Sequence, residues 1–381
     1  MKKELELARK KILESARPIF IFDNDPDGLS AFLILYRMVK AGKGMPVKGN
    51  ILNEDFAEKI NNYQPDLVII LDKHDVKQEF LDKIKTECIW IDHHEVKKPK
   101  GKILYINPRK KNPENNLPTS QLAYMIAKED EWIATIGIVS DWVLPEKKLW
   151  KLFDEKFPNL LPMKTKDAET ALFNTPIGTL ARIFSFNLKG KISDVMTSMK
   201  ILTRIKDPTE LLEKKHPQAR LIMKKFEKHE ETYKQILKSV EIKKEDPVIL
   251  FTYNDSRNSY TTDLSNELLY LNPEKIIIIG RETNGSYKCS LRAGKIQLNK
   301  LVEEVVNEVG GEGGGHEHAC GAVIPSEQFN TFIELIREKT KDKKHRFLSE
   351  IKNSKKTTKK TTKKTTKKRT SKKTINKNST K

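Results

Sequence analysis

The chain has 381 residues, of which 37% are hydrophobic and 33% charged, and its formal net charge is +20. This length predicts two domains with additional segments, and the hydrophobic content is sufficient to build their cores. The longest apolar runs fall far short of the roughly 20 residues of a membrane helix, the N-terminus has no apolar signal core, and the three cysteines form no C-x-x-C pair. These features argue against a membrane protein, a disulfide framework and a structural zinc site, and we expect a cytoplasmic protein.

The positive charge is concentrated near the C-terminus. Residues 351–381 contain 14 Lys and Arg and no acid, which leaves +6 for the preceding 350 residues. A Lys-Lys-Thr-Thr repeat runs from Lys355 through Thr366, and such a segment buries too little apolar area to offset its ordering entropy. We expect residues 341–381 to form a disordered tail that either solubilises the chain or attracts polyanions.

Residues 1–142 alternate short apolar runs with helical patterns. The apolar runs are 18–22, 67–71 and 88–91, and the helical patterns cover 29–39 and 76–84. Buried strands that alternate with helices predict a parallel α/β sheet, in which ligands bind beyond the carboxyl ends of the strands.

The rest of the folded chain divides into two parts. Long charged amphipathic patterns over 143–240 predict a helical connector. Beyond it the signals predict strands at 247–253, 275–280, 286–291 and 321–324, helices at 297–309 and 328–339, and a glycine cluster at 310–315. We interpret residues 241–340 as a second, smaller α/β domain.

Acidic and histidine residues follow the predicted strands of the first part. They are the D-x-D-x-D-G segment with Asp23, Asp25 and Asp27, then Asp72, then Asp92-His93-His94, and finally Asp141 at the end of the hydrophobic segment 137–141. Because parallel strands end at one edge of a sheet, we expect these groups to converge there.

A lone Asp after a strand is usually a turn residue or a helix N-cap. Three carboxylates within five residues repel one another unless a cation neutralises them, so the segment with the adjacent histidines favours a metal site. Mixed carboxylate and imidazole ligands suit Mn²⁺, Fe²⁺ or Zn²⁺, and carboxylates alone suit Mg²⁺. There are enough ligands for two ions, and a pair about 3.5–4 Å apart is common in phosphoester hydrolysis.

These motifs, in this order and spacing, resemble those of the DHH phosphoesterase superfamily. Its members include RecJ-type exonucleases, nanoRNases, cyclic-dinucleotide phosphodiesterases and family II pyrophosphatases. The resemblance covers residues 15–330 and implies a DHH catalytic domain at 1–142 and a DHH-associated substrate-binding domain at 241–340.

The resemblance also implies roles for single residues. Asp25 would bind a first metal ion and Asp27 a second, Asp72 would bridge both, and His93 and Asp141 would complete the second site. His94 would face the substrate phosphate, and Asp92 would orient its neighbours. Many members have a histidine ligand where this chain has Ile21, so either Asp23 compensates as a ligand or the first ion binds more weakly. His74 is not part of the pattern and is expected at the surface.

The glycine cluster can be a flexible linker or a phosphate nest, because consecutive glycines let backbone N–H groups approach an anion. Gly313-Gly314-Gly315-His316, Ala319-Cys320-Gly321 and Ser290-Leu291-Arg292 resemble motifs of the DHH-associated domain. The resemblance implies that His316 and the glycine amides hold a phosphate or terminal nucleotide, and that Arg292 contacts phosphate. Because family II pyrophosphatases carry a different C-terminal domain, a nucleic-acid or nucleotide substrate is favoured.

The resemblance therefore implies a phosphodiesterase with two divalent cations, Mn²⁺ or alternatively Mg²⁺, which releases nucleoside monophosphates from an end of single-stranded DNA or RNA. RecJ proteins of bacteria usually add an oligonucleotide-binding domain, and none is visible here, which strengthens the alternative of a nanoRNase or cyclic-dinucleotide phosphodiesterase acting on short oligonucleotides. A catalytically silent replication scaffold is a third interpretation, against which the intact acidic cluster argues. We expect no membrane partner; replication or repair proteins are candidate partners, and the sequence indicates no oligomeric state.

Overall fold

A computed structural model describes residues 1–49, 52–254 and 258–340. The chain divides into two compact units, Met1–Gln235 and Ile236–Lys381. The predicted disordered tail lies outside the described residues. No helix among the described residues has both the length and the apolar character needed to cross a membrane.

The first unit contains a five-stranded parallel sheet with the order β2-β1-β3-β4-β5. Its strands are β1 (Pro18–Asp23), β2 (Lys43–Val47), β3 (Leu67–Leu71), β4 (Glu87–Ile91) and β5 (Ile103–Ile106). The N-terminal part of this unit has six helices: α1 (Lys2–Glu14), α2 (Pro26–Val39), α3 (Glu54–Asn62), α4 (Gln78–Lys83), α5 (Thr119–Ala127) and α6 (Glu131–Ser140). The predicted parallel α/β sheet is confirmed.

The two faces of this sheet have different helical layers. Ile19 and Ile21 of β1 belong to an apolar cluster that also contains residues of α3 and α4. Successive side chains of a strand point to opposite faces, and Phe22 accordingly stacks on Phe32 of α2, with ring centroids 4.8 Å apart. Helices α5 and α6 pack against α2. The start of α2 and the carboxyl ends of β1 and β3 therefore lie at one edge of the sheet.

The predicted helical connector is also confirmed. It comprises α7 (Lys147–Lys156), α8 (Ala168–Asn174), α9 (Pro176–Asn187), α10 (Ile192–Leu202), α11 (Pro208–Leu212) and α12 (Pro217–Lys238). Arg37 near the end of α2 links this part to the rest of the first unit. Its guanidinium donates to Asp130 at 2.8 Å and to the backbone oxygen of Ile205.

The second unit has a mixed five-stranded sheet with the order β6-β7-β8-β10-β9, in which only β6 and β7 pair in parallel. Its strands are β6 (Val248–Tyr253), β7 (Ile276–Thr283), β8 (Ser286–Ala293), β9 (Glu312–His316) and β10 (Ala319–Pro325). Its helices are α13 (Thr261–Leu271), α14 (Leu298–Val309) and α15 (329–340). One apolar cluster joins the sheet to α14 and α15.

Three local features differ from the sequence predictions. The strands β2 and β5 were not predicted, because β2 contains Gly44 and Pro46 and β5 has only 4 residues. Most of the glycine cluster is the edge strand β9 and not a loop, since it pairs with β10. Asp141 follows α6 and not a strand, because the apolar segment before it is helical.

Candidate functional site

The acidic residues of the first unit lie at the carboxyl edge of its sheet. Strands β1, β3 and β4 are neighbours, and Asp23, Asp72 and Asp92 stand at or just after their ends. Strand β2, which follows β1 in the chain, pairs with one edge of β1, and the next strand, β3, pairs with its other edge. The direction of the strand order thus reverses at β1, which makes this a topological switch point. Open α/β sheets bind their ligands at such points.

The D-x-D-x-D-G segment forms the start of α2. Asp25 is the N-cap, and its carboxylate accepts a hydrogen bond of 2.9 Å from the backbone N–H of Gly28. A Cβ atom at position 28 would lie 2.6 Å from the backbone oxygen of Asp23, so glycine allows the helix to begin this close to the strand. Burial and the carboxylates of Asp72, Asp23 and Asp27 raise the pKa of Asp25 well above its usual value.

Asp27 is buried in the first turn of α2 and is held by the start of α5. Its carboxylate accepts hydrogen bonds from the backbone N–H groups of Thr119 at 2.8 Å and Ser120 at 3.0 Å, and from the Ser120 hydroxyl. Burial and the nearby Asp72 carboxylate raise the pKa of Asp27 to about 6. Thr119 and Ser120 were not identified from the sequence, although Pro118 before them is a helix-start signal.

Asp72 is 1% exposed and has a left-handed backbone with φ of 59°. One of its oxygens accepts a hydrogen bond of 3.0 Å from the Thr119 hydroxyl and lies 3.4 Å from Nε2 of His93. Burial opposes ionisation, but the neighbouring His93, His94 and Thr119 lower the pKa of Asp72 to about 2. Asp72 is therefore an anion throughout the physiological pH range.

His93 lies between two carboxylates. Its Nε2 faces Asp72, and its Nδ1 is 3.6 Å from Oδ2 of Asp141 and 3.3 Å from Oδ1 of Asn116. Against the opposing effect of burial, Asp72 and Asp141 raise the pKa of His93 to about 11. The two neighbouring carboxylates therefore favour the protonated form of His93.

His94 is oriented by Asp92, which is fully buried. Oδ1 of Asp92 lies 2.8 Å from Nδ1 of His94, and the Asn107 amide donates to the backbone oxygen of His94 at 3.0 Å. Burial lowers the pKa of His94, but the hydrogen bond to Asp92 and the charge of Asp72 raise it by more. The pKa of His94 is therefore raised overall. His74 is exposed as predicted, and its ring centroid lies 5.5 Å from that of His94.

Asp141 is the C-cap residue of α6, and the tertiary fold brings it to the same place as the strand ends. Its Oδ2 atom is buried and has no hydrogen-bond donor among the described residues. Burial raises the pKa of Asp141 to about 8, with further contributions from Asp27 and Asp72 and an opposing one from His93. A buried carboxylate without a donor is a suitable ligand for a cation.

Lys73 is a residue of this region that the sequence did not single out. It directly follows Asp72 and is 1% exposed. Its ammonium group donates to Oδ1 of Asp23 at 3.0 Å and to the backbone oxygen of Gly49 at 2.8 Å. Burial raises the pKa of Asp23, Lys73 opposes this shift, and Asp72 adds to it. No sequence pattern distinguishes a buried lysine from an exposed one at this position.

The donor set of this edge fits a divalent cation. Ligand atoms of Asp72, His93 and His94 all lie within 4.8 Å of one another. Asp27 adds a buried carboxylate and Asp25 and Asp141 add two partly buried ones, and the pKa values of all three are raised by neighbouring carboxylates as well as by burial. Such a group of oxygen and imidazole ligands suits Mn²⁺ and related ions, and a cation would relieve the repulsion.

The predicted phosphate-binding residues lie together in the second unit. Across the sheet, Arg292 of β8 pairs with Ala319 of β10, which in turn pairs with His316 of β9. The three residues therefore form one row over adjacent strands. Gly313, Gly314 and Gly315 belong to the exposed edge strand β9, so their backbone groups are presented by a strand and not by a loop nest.

Arg292 is held in place by its neighbours. Its guanidinium donates to the Asn266 side chain at 2.7 Å, to the Ser290 hydroxyl at 3.2 Å and to the backbone oxygen of Leu291 at 2.8 Å. Burial lowers the pKa of Arg292 to about 10, which still leaves it a cation at neutral pH. Nδ1 of His318 donates to the backbone oxygen of Ala293 at 3.0 Å, which gives this histidine a structural role.

Comparisons with known proteins agree with this architecture. Residues 18–144 match the DHH family, N-terminal domain, and residues 261–342 match the DHHA1 domain. A comparison with curated proteins finds no match.

Among solved structures, RecJ in complex with Mn²⁺ from Thermus thermophilus is similar, with a TM-score of 0.63 and 15% identity over 88% of this chain and 54% of that chain. Exonuclease RecJ bound to manganese has a TM-score of 0.50 and 16% identity over 88% of this chain and 93% of that chain. The DHH domain of a member of the s1p family of ribosomal proteins has a TM-score of 0.64 and 16% identity over 89% and 90%.

This chain thus spans about half of the Thermus RecJ chain, and at these identities the likeness shows the fold. The matched domains, the sheet topology and the clustered acids and histidines lead to one assignment. The chain belongs to the DHH phosphoesterase superfamily and carries a C-terminal DHHA1 domain.

Proposed function

We propose that this protein is a phosphodiesterase dependent on divalent metal ions, which hydrolyses single-stranded DNA or RNA from an end and releases nucleoside monophosphates. The observation that carries the proposal is the buried cluster around Asp72, in which carboxylates with raised pKa values surround two histidines. A protein without catalysis has no physical need for acids that repel one another in this way.

The proposed ligands are the five residues that the family resemblance implies, and two of them, Asp72 and His93, have ligand atoms within 4.8 Å of each other. They are Asp25, Asp27, Asp72, His93 and Asp141. A bound divalent ion would supply a water molecule of lowered pKa and neutralise charge on the phosphate. Mn²⁺ is favoured because the ligands include imidazole, and the similar RecJ structures contain Mn²⁺ or Mg²⁺.

The protein's own groups would position the phosphate. Asp92 holds Nδ1 of His94, so the opposite ring nitrogen is the one left to donate a hydrogen bond to a phosphate oxygen. Because the pKa of His94 is raised, this donation is charge-assisted over a wider pH range. In the second unit, Arg292 would contact a phosphate group, and His316 lies at the other end of the same row of paired residues, next to the glycines of β9.

A length series of substrates tests the proposed activity. The purified protein is incubated with Mn²⁺ and end-labelled DNA and RNA of two to thirty nucleotides, and the products are separated by length. Stepwise release of mononucleotides from long single strands is expected. Hydrolysis of dinucleotides or cyclic dinucleotides alone would instead favour an enzyme of short oligonucleotides, and no hydrolysis of any substrate would favour a scaffold.

Asp72→Asn tests the metal cluster directly. Asparagine keeps the size of the side chain and tolerates the left-handed backbone at this position, so the fold should be retained. We expect hydrolysis to fall by at least about a hundredfold, because a charge that stabilises the transition state is lost. The matched control is Asp55→Asn, which removes an exposed carboxylate of α3. Full activity of the Asp72 variant would contradict the assignment.

A further inference from the structure

The ion pair of Lys73 and Asp23 separates one carboxylate of the acidic segment from the others. Lys73 is 1% exposed, and its ammonium group bonds both Oδ1 of Asp23 and the backbone oxygen of Gly49. Its backbone is fixed as well, because Nε1 of Trp90 donates to the Lys73 carbonyl at 3.0 Å. A buried ammonium requires a partner of opposite charge, and Asp23 provides it.

The other two acids of the segment have neutral donors. Asp25 accepts from the backbone of Gly28, and Asp27 accepts from the backbone and hydroxyl of Ser120. Neither forms an ion pair with a lysine or arginine among the described residues. Of the three, Asp23 alone is neutralised by a lysine there, so a metal ion would gain less from it than from Asp25 or Asp27.

The strand geometry turns the Asp23 side chain towards the face of the sheet that carries Ile21. Ile21 and Asp23 are two residues apart in β1, so their side chains share a face, and Ile21 is buried in the apolar cluster with α3 and α4. Gly49 lies in the connection between β2 and α3, on the same side. Asp25 and Asp27 start α2, which packs on the opposite face through Phe22 and Phe32.

We propose that Lys73 is a positioning residue that holds Asp23 as an internal ion pair and keeps it out of the metal ligand set. The chain then binds divalent cations through Asp25, Asp27, Asp72, His93 and Asp141, and the absent histidine at position 21 is not replaced by a carboxylate. Lys73 also ties the connection at Gly49 to the end of β1. This inference rests on the proposed metal-dependent function.

The test is Mn²⁺ binding by the full chain, measured by equilibrium dialysis for stoichiometry and by calorimetry for affinity. The decisive variant is Lys73→Met with Asp23→Asn, which removes both charges and leaves the net charge unchanged. We expect the wild-type number of ions and a dissociation constant within about threefold of wild type, since no ligand is lost. Loss of an ion, or weakening by more than about tenfold, would show that Asp23 is a ligand and would overturn the inference.

Lys73→Met alone gives a second measurement if the double variant does not fold. It releases the Asp23 carboxylate next to the cluster, so Mn²⁺ should bind more tightly, by about tenfold, or in a greater number. Unchanged or weaker binding would contradict the inference.

Asp25→Asn separates a failure of this inference from a failure of the proposed function. This variant should lose an ion or weaken Mn²⁺ binding at least about tenfold, because a proposed ligand is removed. If it binds Mn²⁺ like wild type, the proposed metal site itself is wrong. If it loses the ion and the double variant does too, only the role of Lys73 is wrong.

Discussion

Asp141 and His93 make the stability of the metal-free protein depend on pH. The pKa of Asp141 rises from 3.8 to about 8 on folding, so the folded chain holds its proton to higher pH than the unfolded chain. The free energy of unfolding therefore falls as pH increases between these values. His93, whose pKa rises from 6.5 to about 11, acts in the same direction over its own range.

We expect the melting temperature of the chelated protein to fall between pH 5.5 and pH 8.5, and Mn²⁺ to raise it more at the higher pH, where the acids are ionised. Calorimetry with and without Mn²⁺ measures both effects. The control is Asp141→Asn, which removes the titrating group and should flatten the decline in the absence of metal. An equally steep decline in this variant would contradict the assignment of the effect to Asp141.

The convergence of the acidic and histidine residues was predictable because the carboxyl ends of parallel strands share an edge. Asp72 and Asp92 follow strands whose apolar runs are unmistakable in the sequence. Lys73 and the start of α5 were not predictable, since a buried lysine or a free helix N-terminus gains its role only from tertiary contacts. The carboxylate of Asp141 lies 3.6 Å from Nδ1 of His93, although a helix and not a strand precedes Asp141.

Among the elements, α2 depends on Arg37 for its attachment to the connector. The guanidinium is 19% exposed and its partner Asp130 is 12% exposed, so the ion pair is largely shielded from water. Arg37 also donates to the backbone oxygen of Ile205. Removing it would leave Asp130 without its cation and the Ile205 carbonyl without this donor.

Arg37→Met should therefore destabilise the first unit by about 2 kcal/mol, the usual range for hydrogen bonds to charged groups. Urea denaturation followed by circular dichroism measures the change. As a control, Lys10→Met removes an exposed pair on α1 with Glu14 and should change the stability by less than about 0.5 kcal/mol. Equal losses in the two variants would contradict the structural role of Arg37.

Two of the strands that sequence patterns missed are stabilised by pairing with a neighbour. Strand β2 contains glycine and proline, yet it pairs with β1 along all five residues. Strand β9 is mostly glycine, so its side chains contribute little packing. Its backbone pairing with β10 holds it in the sheet. For α6, an apolar segment buried on all sides has no periodicity that separates a helix from a strand.

For the whole molecule, the positive charge near the C-terminus predicts that binding of nucleic acid can be weakened without a loss of dinucleotide hydrolysis. Deleting residues 351–381, which lie outside the described residues, removes 14 positive charges. We expect weaker binding to single-stranded DNA at low salt and a less steep decrease of affinity with salt, because fewer counterions are released. Hydrolysis of a dinucleotide should be unchanged, since all the described residues are retained.

Fluorescence anisotropy over a salt series and a dinucleotide assay measure the two properties. A control chain with Gln in place of each Lys and Arg of 351–381 keeps the length and should behave like the truncated chain. Loss of dinucleotide hydrolysis on truncation would contradict the role of this segment as an accessory tether.

The bonds from Asp27 to the start of α5 have a consequence for the order of folding. They join residues 92 and 93 positions apart, so chains with only local contacts cannot contain them. We therefore expect the cluster of acids and histidines to be completed late, after both α2 and α5 have docked. During refolding, tight Mn²⁺ binding would therefore indicate that the first unit is complete. Partly folded chains emerging from the ribosome would bind the ion more weakly than folded chains.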